Sequence, residues 1–174
     1  MKLNTTTGNF ETLAWHSRGE PERARALAAE AATLADRAGA PRELCQASNL
    51  LGLIAVSDGA VDDALAHLSR SRSLADELSD PELQVAALNN LALAYRASGD
   101  LAEAMALTES ALEQCGRLGD RHREAALHNN LADLLHLMDR DEEAMGHLKT
   151  AVQIFAEVGE EDQPRPEIWK LVRW

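Results

Sequence analysis

The sequence predicts an all-α chain, a solenoid of about four antiparallel helix-turn-helix repeats followed by a short C-terminal capping helix. Three observations predict it. The phrase "NNLALAYRASGDLAEAM" at 89–105 returns as "NNLADLLHLMDRDEEAM" at 129–145, forty residues on. Within each copy apolar residues recur at three- and four-residue spacing, and turn signals interrupt that pattern about every twenty residues. Aromatic residues make up only 3% of the chain against 45% hydrophobic, which suits closely packed helices of Leu, Ala, Val and Met better than a sheet. No stretch alternates as a half-buried strand would.

Four copies fit, at 5–40, 41–80, 81–120 and 121–160, within a single domain spanning 1–174. Sliding the chain by forty residues superposes Leu51, Leu91 and Leu131, then Gly52, Ala92 and Ala132. It also superposes Ala64, Ala104 and Ala144, with Ala24 in the first copy, and Leu65, Met105 and Met145. The opening of the first copy departs from this pattern, with Glu11 in the core-leucine slot, Gly8 inside the helix, and Phe10, Leu13 and Trp15 as its apolar contribution. It is either a frayed cap or the cut edge of a larger protein whose preceding repeat is missing.

The later copies each divide into two amphipathic helices. Leu88, Leu91, Ala92 and Tyr95 share one face of a first helix; Leu101, Ala104, Met105, Ala111, Leu112, Cys115 and Leu118 share one face of a second. Glu20-Pro21, Ala40-Pro41 and Asp80-Pro81 place proline at a first helical position, where its missing N–H is not needed, and Asp80 adds a capping carboxylate. Asp100 with Glu103 has the spacing of an acidic capping box. Gly39, Gly119 and Gly159 stand where second helices end, because glycine enters the left-handed conformation of a C-cap without steric penalty. A lone hairpin cannot cover its own apolar stripe, so each copy must serve as its neighbour's core wall.

These residues resemble the tetratricopeptide repeat, whose pattern is W-x2-L-G-x2-Y, then A-x3-F. The Leu slot holds Leu51, Leu91 and Leu131, the Gly slot Gly52, Ala92 and Ala132, and the Tyr slot Ala55, Tyr95 and Leu135. The Phe slot holds Leu68, Thr108 and Leu148, the Trp slot Ser48, Leu88 and His128. The terminal proline is absent, with Asp76, Gly116 and Ala156 in its place, so the second helix is expected to run on into a forty-residue unit. That longer unit is similar to repeat regions of bacterial signalling and transcription regulators. The resemblance implies a right-handed superhelix whose first helices line a concave, peptide-binding side.

On that face lie Asn49, Leu50, Leu53 and Val56 of the second copy, and Asn89, Asn90, Leu93 and Arg96 of the third. Asn129, Asn130, Asp133 and His136 follow in the fourth, and His16 continues the row containing Arg96 and His136. Five asparagines at matching places exceed what helix propensity supplies. An amide offers two donors and an acceptor, enough to satisfy the C=O and N–H of an extended peptide. Asn90 and Asn130 match the groove asparagine of the family. For Asn49, Asn89 and Asn129 a tie between adjacent first helices is the favoured reading, with peptide binding as the alternative.

The stretch "DQPRPEIWKLVRW" falls outside this reading of the repeat: Pro164 and Pro166 end the preceding helix, and 164–174 forms the cap. Its Ile168, Trp169, Leu171 and Trp174 either cover the apolar edge of the last hairpin or dock into another molecule. "PEIWKLVRW" also resembles a tail found on repeat regions of actinobacterial regulators.

Charge narrows the function. Seventeen basic residues against twenty-nine acidic give a net charge of −12, which opposes nucleic-acid binding. No apolar run is long enough to cross a bilayer and no signal-peptide h-region opens the chain, so neither membrane partner nor export is expected and the cytoplasm is the default location. Cys45 and Cys115 read as buried thiols, outside any CxxC or Cys/His cluster. None of the six histidines forms HExxH, and no phosphate loop or nucleophile elbow is present, so no enzyme, metal or cofactor is expected. The expectation is a non-catalytic interaction module, a scaffold that binds a peptide or helix of a partner protein. The alternative is a sensor or self-association arm of a larger bacterial regulator, with the groove filled by its own chain or C-terminal tail.

Overall fold

The computed structural model describes residues 21–159, all of them in helices or the short turns between them. There are seven helices in this span: α1 (Pro21–Ala38), α2 (Pro41–Ser57), α3 (Val61–Leu78), α4 (Pro81–Ser98), α5 (Leu101–Leu118), α6 (Arg121–Leu137) and α7 (Asp141–Gly159). Even-numbered helices are first helices of the repeat and odd-numbered ones are second helices. The first helix expected within 1–20 and the capping helix at 164–174 lie outside the described residues.

The twenty-residue punctuation has one backbone cause. Gly39, Gly59, Ser79, Gly99, Gly119 and Asp139 all have positive φ, between 51° and 87°, so one left-handed residue turns the chain at each helix junction. Serine and aspartate occupy two of these places and carry the Cβ crowding that glycine avoids. At the helix starts, Asp80 Oδ1 accepts from the N–H groups of Glu82 and Leu83, and Asp100 Oδ1 accepts from Glu103 N–H. Asp120 Oδ1, which the sequence reading passed over, accepts from Arg123 N–H in the same way. Ala40 precedes Pro41 without a side-chain cap.

Two compact units divide the chain, with the boundary between Gly99 and Asp100, inside the third repeat. In the first, α1 packs on α2, α2 on α3, and α3 on α4, while the first helices α2 and α4 also touch. Ala24 and Ala28 of α1 form a cluster with Leu50, Leu51 and Ile54 of α2, with Ala32 against it. A second cluster joins Cys45, Ala75 and Ala87 from α2, α3 and α4. Gly52 sits where a Cβ would lie 2.3 Å from Leu68 Cγ, and this close approach of α2 to α3 is why the slot takes glycine. In the second unit, Ala132 and Leu135 of α6 meet Ala144 and Leu148 of α7, with Met105 of α5 packed against them.

Several core assignments need correction. Leu50, expected on the open face, is buried between α1 and α2 because the small Ala24 and Ala28 leave room for it. Leu118, expected in the core, lies exposed at the end of α5. Leu107 and Thr108 are buried on that helix instead, and the Thr108 hydroxyl is satisfied by donating to Ala104 C=O at 2.8 Å.

Candidate functional site

In the first unit the asparagines form a hydrogen-bonded chain along the first helices. Asn89 Nδ2 donates to Asn90 Oδ1 at 3.0 Å, and Asn90 Nδ2 donates to Asn49 Oδ1 at 3.0 Å, so the chain runs from α4 across to α2. All three are half-buried, as are Leu53, Val56, Leu93 and Arg96 around them. The tie between adjacent first helices therefore involves Asn90 as well as Asn49 and Asn89.

The second unit repeats the residue types. Asn129, Asn130 and Asp133 on α6 are half-buried, and Asn129 Oδ1 is enclosed without a donor. His136 is exposed, and its Nδ1 lies 2.7 Å from Asp141 Oδ1 at the start of α7. It thereby joins an apolar cleft of about 730 Å³ lined by Met145, Leu148 and Val152 with Asp141, Lys149 and Gln153 at its margins. His16, Ile168, Trp169, Leu171 and Trp174 lie outside the described residues.

One pairing escaped the sequence reading. His128 of α6 and His147 of α7 face each other with Nδ1 atoms 2.8 Å apart and ring centroids 5.1 Å apart. One ring must donate and the other accept, so the pair cannot carry two charges without opening. Burial, then the neighbouring His147, holds the His128 pKa below its ordinary 6.5. The signal was available, since an antiparallel hairpin brings α6 and α7 face to face, with 128 nine residues before the end of α6 and 147 six after the start of α7. The α2–α3 hairpin likewise pairs Cys45 with Ser71, whose Oγ donates to Cys45 C=O at 3.1 Å. Both cysteines are buried and unpaired in disulfides, and burial raises the pKa of each thiol. Among the described residues no group of three or more His, Cys, Asp or Glu could hold a metal ion, and no helix is long and apolar enough to cross a membrane.

A search of curated protein sequences returned no match. Solved structures do resemble the fold. BtubC (BKLC) from P. vanneervenii superposes with a TM-score of 0.71 at 23% identity, over 87% of this chain and 62% of its own. A putative kinesin light chain with nearly identical TPR-like repeats, from Podosopora anserina, gives 0.74 at 18% identity, covering 95% and 82%. Aspartyl phosphate phosphatase F from Bacillus subtilis gives 0.78 at 13% identity, covering 92% of this chain and 43% of its own. This chain thus spans less than two thirds of BtubC and under half of the phosphatase. At such identities the likeness is one of fold, that of a helical repeat. The tetratricopeptide repeat model matches residues 43–115 and 83–157, which together make up more than half of the sequence. Repeats of this type are generally non-catalytic protein–protein interaction scaffolds, and the chain belongs to the tetratricopeptide repeat family.

Proposed function

We propose that the protein is a non-catalytic adaptor that holds an extended peptide or helix of a partner protein against its first helices. The observation that carries the reading is the chain of amides from Asn89 through Asn90 to Asn49. Bonded to one another, these amides are oriented before any ligand arrives, so binding need not order them again. An amide carries both a donor and an acceptor, the pair that the alternating C=O and N–H of a peptide backbone asks for, while Leu53, Val56 and Leu93 offer apolar contact. Arg96 lies on the same face and favours a ligand with a carboxylate. Asn130 and Asp133 give α6 of the second unit the same kind of face.

The test is peptide-display selection against the full chain, followed by calorimetry of the selected peptides with Asn90→Ala/Arg96→Glu. Affinity is expected to fall at least about tenfold, the equivalent of one charge-assisted hydrogen bond. Unchanged affinity would remove the assignment of this face.

A further inference from the structure

Positions 128 and 147 break the repeat's own rule. Their equivalents in the third copy are Leu88 and Leu107, both buried apolar residues, whereas the fourth copy carries two imidazoles. Polar rings in a half-buried apolar seat weaken a core, and such local departures mark residues kept for a task other than packing. His128 and His147 bring Nδ1 to within 2.8 Å of Nδ1. Each neutral ring carries one proton, and when both protons sit on Nε2 the two Nδ1 lone pairs face the same space. Two lone pairs that close repel one another and suit a cation.

We propose that His128 and His147 form a binding site for a divalent transition-metal ion of the copper or nickel kind, held by the two Nδ1 atoms in adjacent coordination positions. The separation selects the geometry. Metal–nitrogen bonds of about 2.0 Å at a right angle put their nitrogens about 2.8 Å apart, while a tetrahedral zinc angle needs about 3.3 Å. Copper(II) and nickel(II) favour the right angle. Among the described residues no third His, Cys, Asp or Glu joins the pair, so water completes the coordination and the ion exchanges freely. The surroundings favour positive charge. Glu124 precedes His128 by four residues on α6, Glu143 precedes His147 by four on α7, and each carboxylate acts on its histidine through space. Arg121 also faces His128, but Glu124 and Glu157 engage it, and Glu143 engages Arg140, so three carboxylates stand against two guanidinium groups. The ion takes the place of the N–H···N hydrogen bond. The displaced proton passes through solvent to Nε2 of the same ring, so none is released overall.

This site is independent of the peptide face proposed above. Calorimetric titration of the full chain, stripped with EDTA, tests it with Cu2+, Ni2+ and Zn2+ as probes. The variants are His147→Ala, the double change His128→Leu/His147→Leu, and His122→Ala, which removes an exposed histidine outside the pair. The double change restores the residues of the third copy, so it should fold at least as stably as the wild type. Wild type and His122→Ala should bind one Cu2+ or Ni2+ at the pair, and affinity should fall at least about tenfold in the other two variants. Unchanged binding in the double-leucine variant would overturn the proposal, because the ion would then be held elsewhere. So would Zn2+ held more than about tenfold tighter than Ni2+, an order that belongs to a tetrahedral site.

Discussion

Gly52→Ala offers a sharp test of how the hairpins are packed. Alanine is the better helix former by about 1 kcal/mol, and on an open helix face the change would stabilise. Here the new Cβ would lie 2.3 Å from Leu68 Cγ, and Leu68 is wholly buried. Overpacking of that severity costs about 3 kcal/mol, which leaves a net destabilisation of about 2 kcal/mol after the propensity gain. The third repeat suggests the cure, because its equivalents are Ala92 and Thr108. Leu68→Thr alone should destabilise by about 2–3 kcal/mol through the lost apolar volume. With threonine at 68, however, Gly52→Ala should become neutral or stabilising by up to about 1 kcal/mol. Urea denaturation of the four proteins gives the cycle, with an expected coupling of about 2–3 kcal/mol. Additivity within about 0.5 kcal/mol would refute the close approach of α2 and α3 as the reason for the glycine.

Other outcomes follow from the same geometry. Ser79→Gly, which relieves a left-handed non-glycine residue, should raise stability by about 0.5–1 kcal/mol in urea melts. Asp80→Ala should cost about 1 kcal/mol through loss of the α4 cap. Although partial burial pulls the Asp80 pKa upward, the Leu83 N–H and Arg42 outweigh it and hold the folded value below 3.8, so the cap's contribution is present above that value and fades as pH falls through the folded one. His128 has a folded pKa below the unfolded 6.5, so the folded state binds fewer protons and stability is lost as pH falls from 6.5 through the folded value. An NMR titration should place His128 under 6.5, moving upward in His147→Ala, and a midpoint unaffected by that substitution would contradict the role of the pair.

Much of this fold was legible because its signals are local. Asp80-Pro81, Asp100 with Glu103, and the glycines at 39 and 119 act within a turn of themselves, so neighbours need not be known. Small residues at 24, 64, 104 and 144 are all fully buried, as a contact slot between helices requires. What was missed depends on the neighbouring helix. Leu50 shares its repeat position with Asn90 and Asn130, and only the alanines of α1 opposite it draw it inward. Thr108 reads as polar until its hydroxyl is seen to bond within its own helix. The His128–His147 contact joins residues of two helices, and it becomes visible only when the hairpin is folded about its turn. Of the candidate binding face, the asparagine positions were legible, while their bonding to one another was not, since side-chain direction across α2 and α4 is set by packing.

The central claim is that a partner peptide lies on the asparagine-bearing face of the first helices. Side-chain amide resonances, followed by NMR during titration with a display-selected peptide, test it most directly. The account predicts that the Asn49, Asn89 and Asn90 side-chain NH2 signals shift together with Arg96. Shifts confined to Met145, Val152 and the two paired histidines, with those asparagines still, would contradict it.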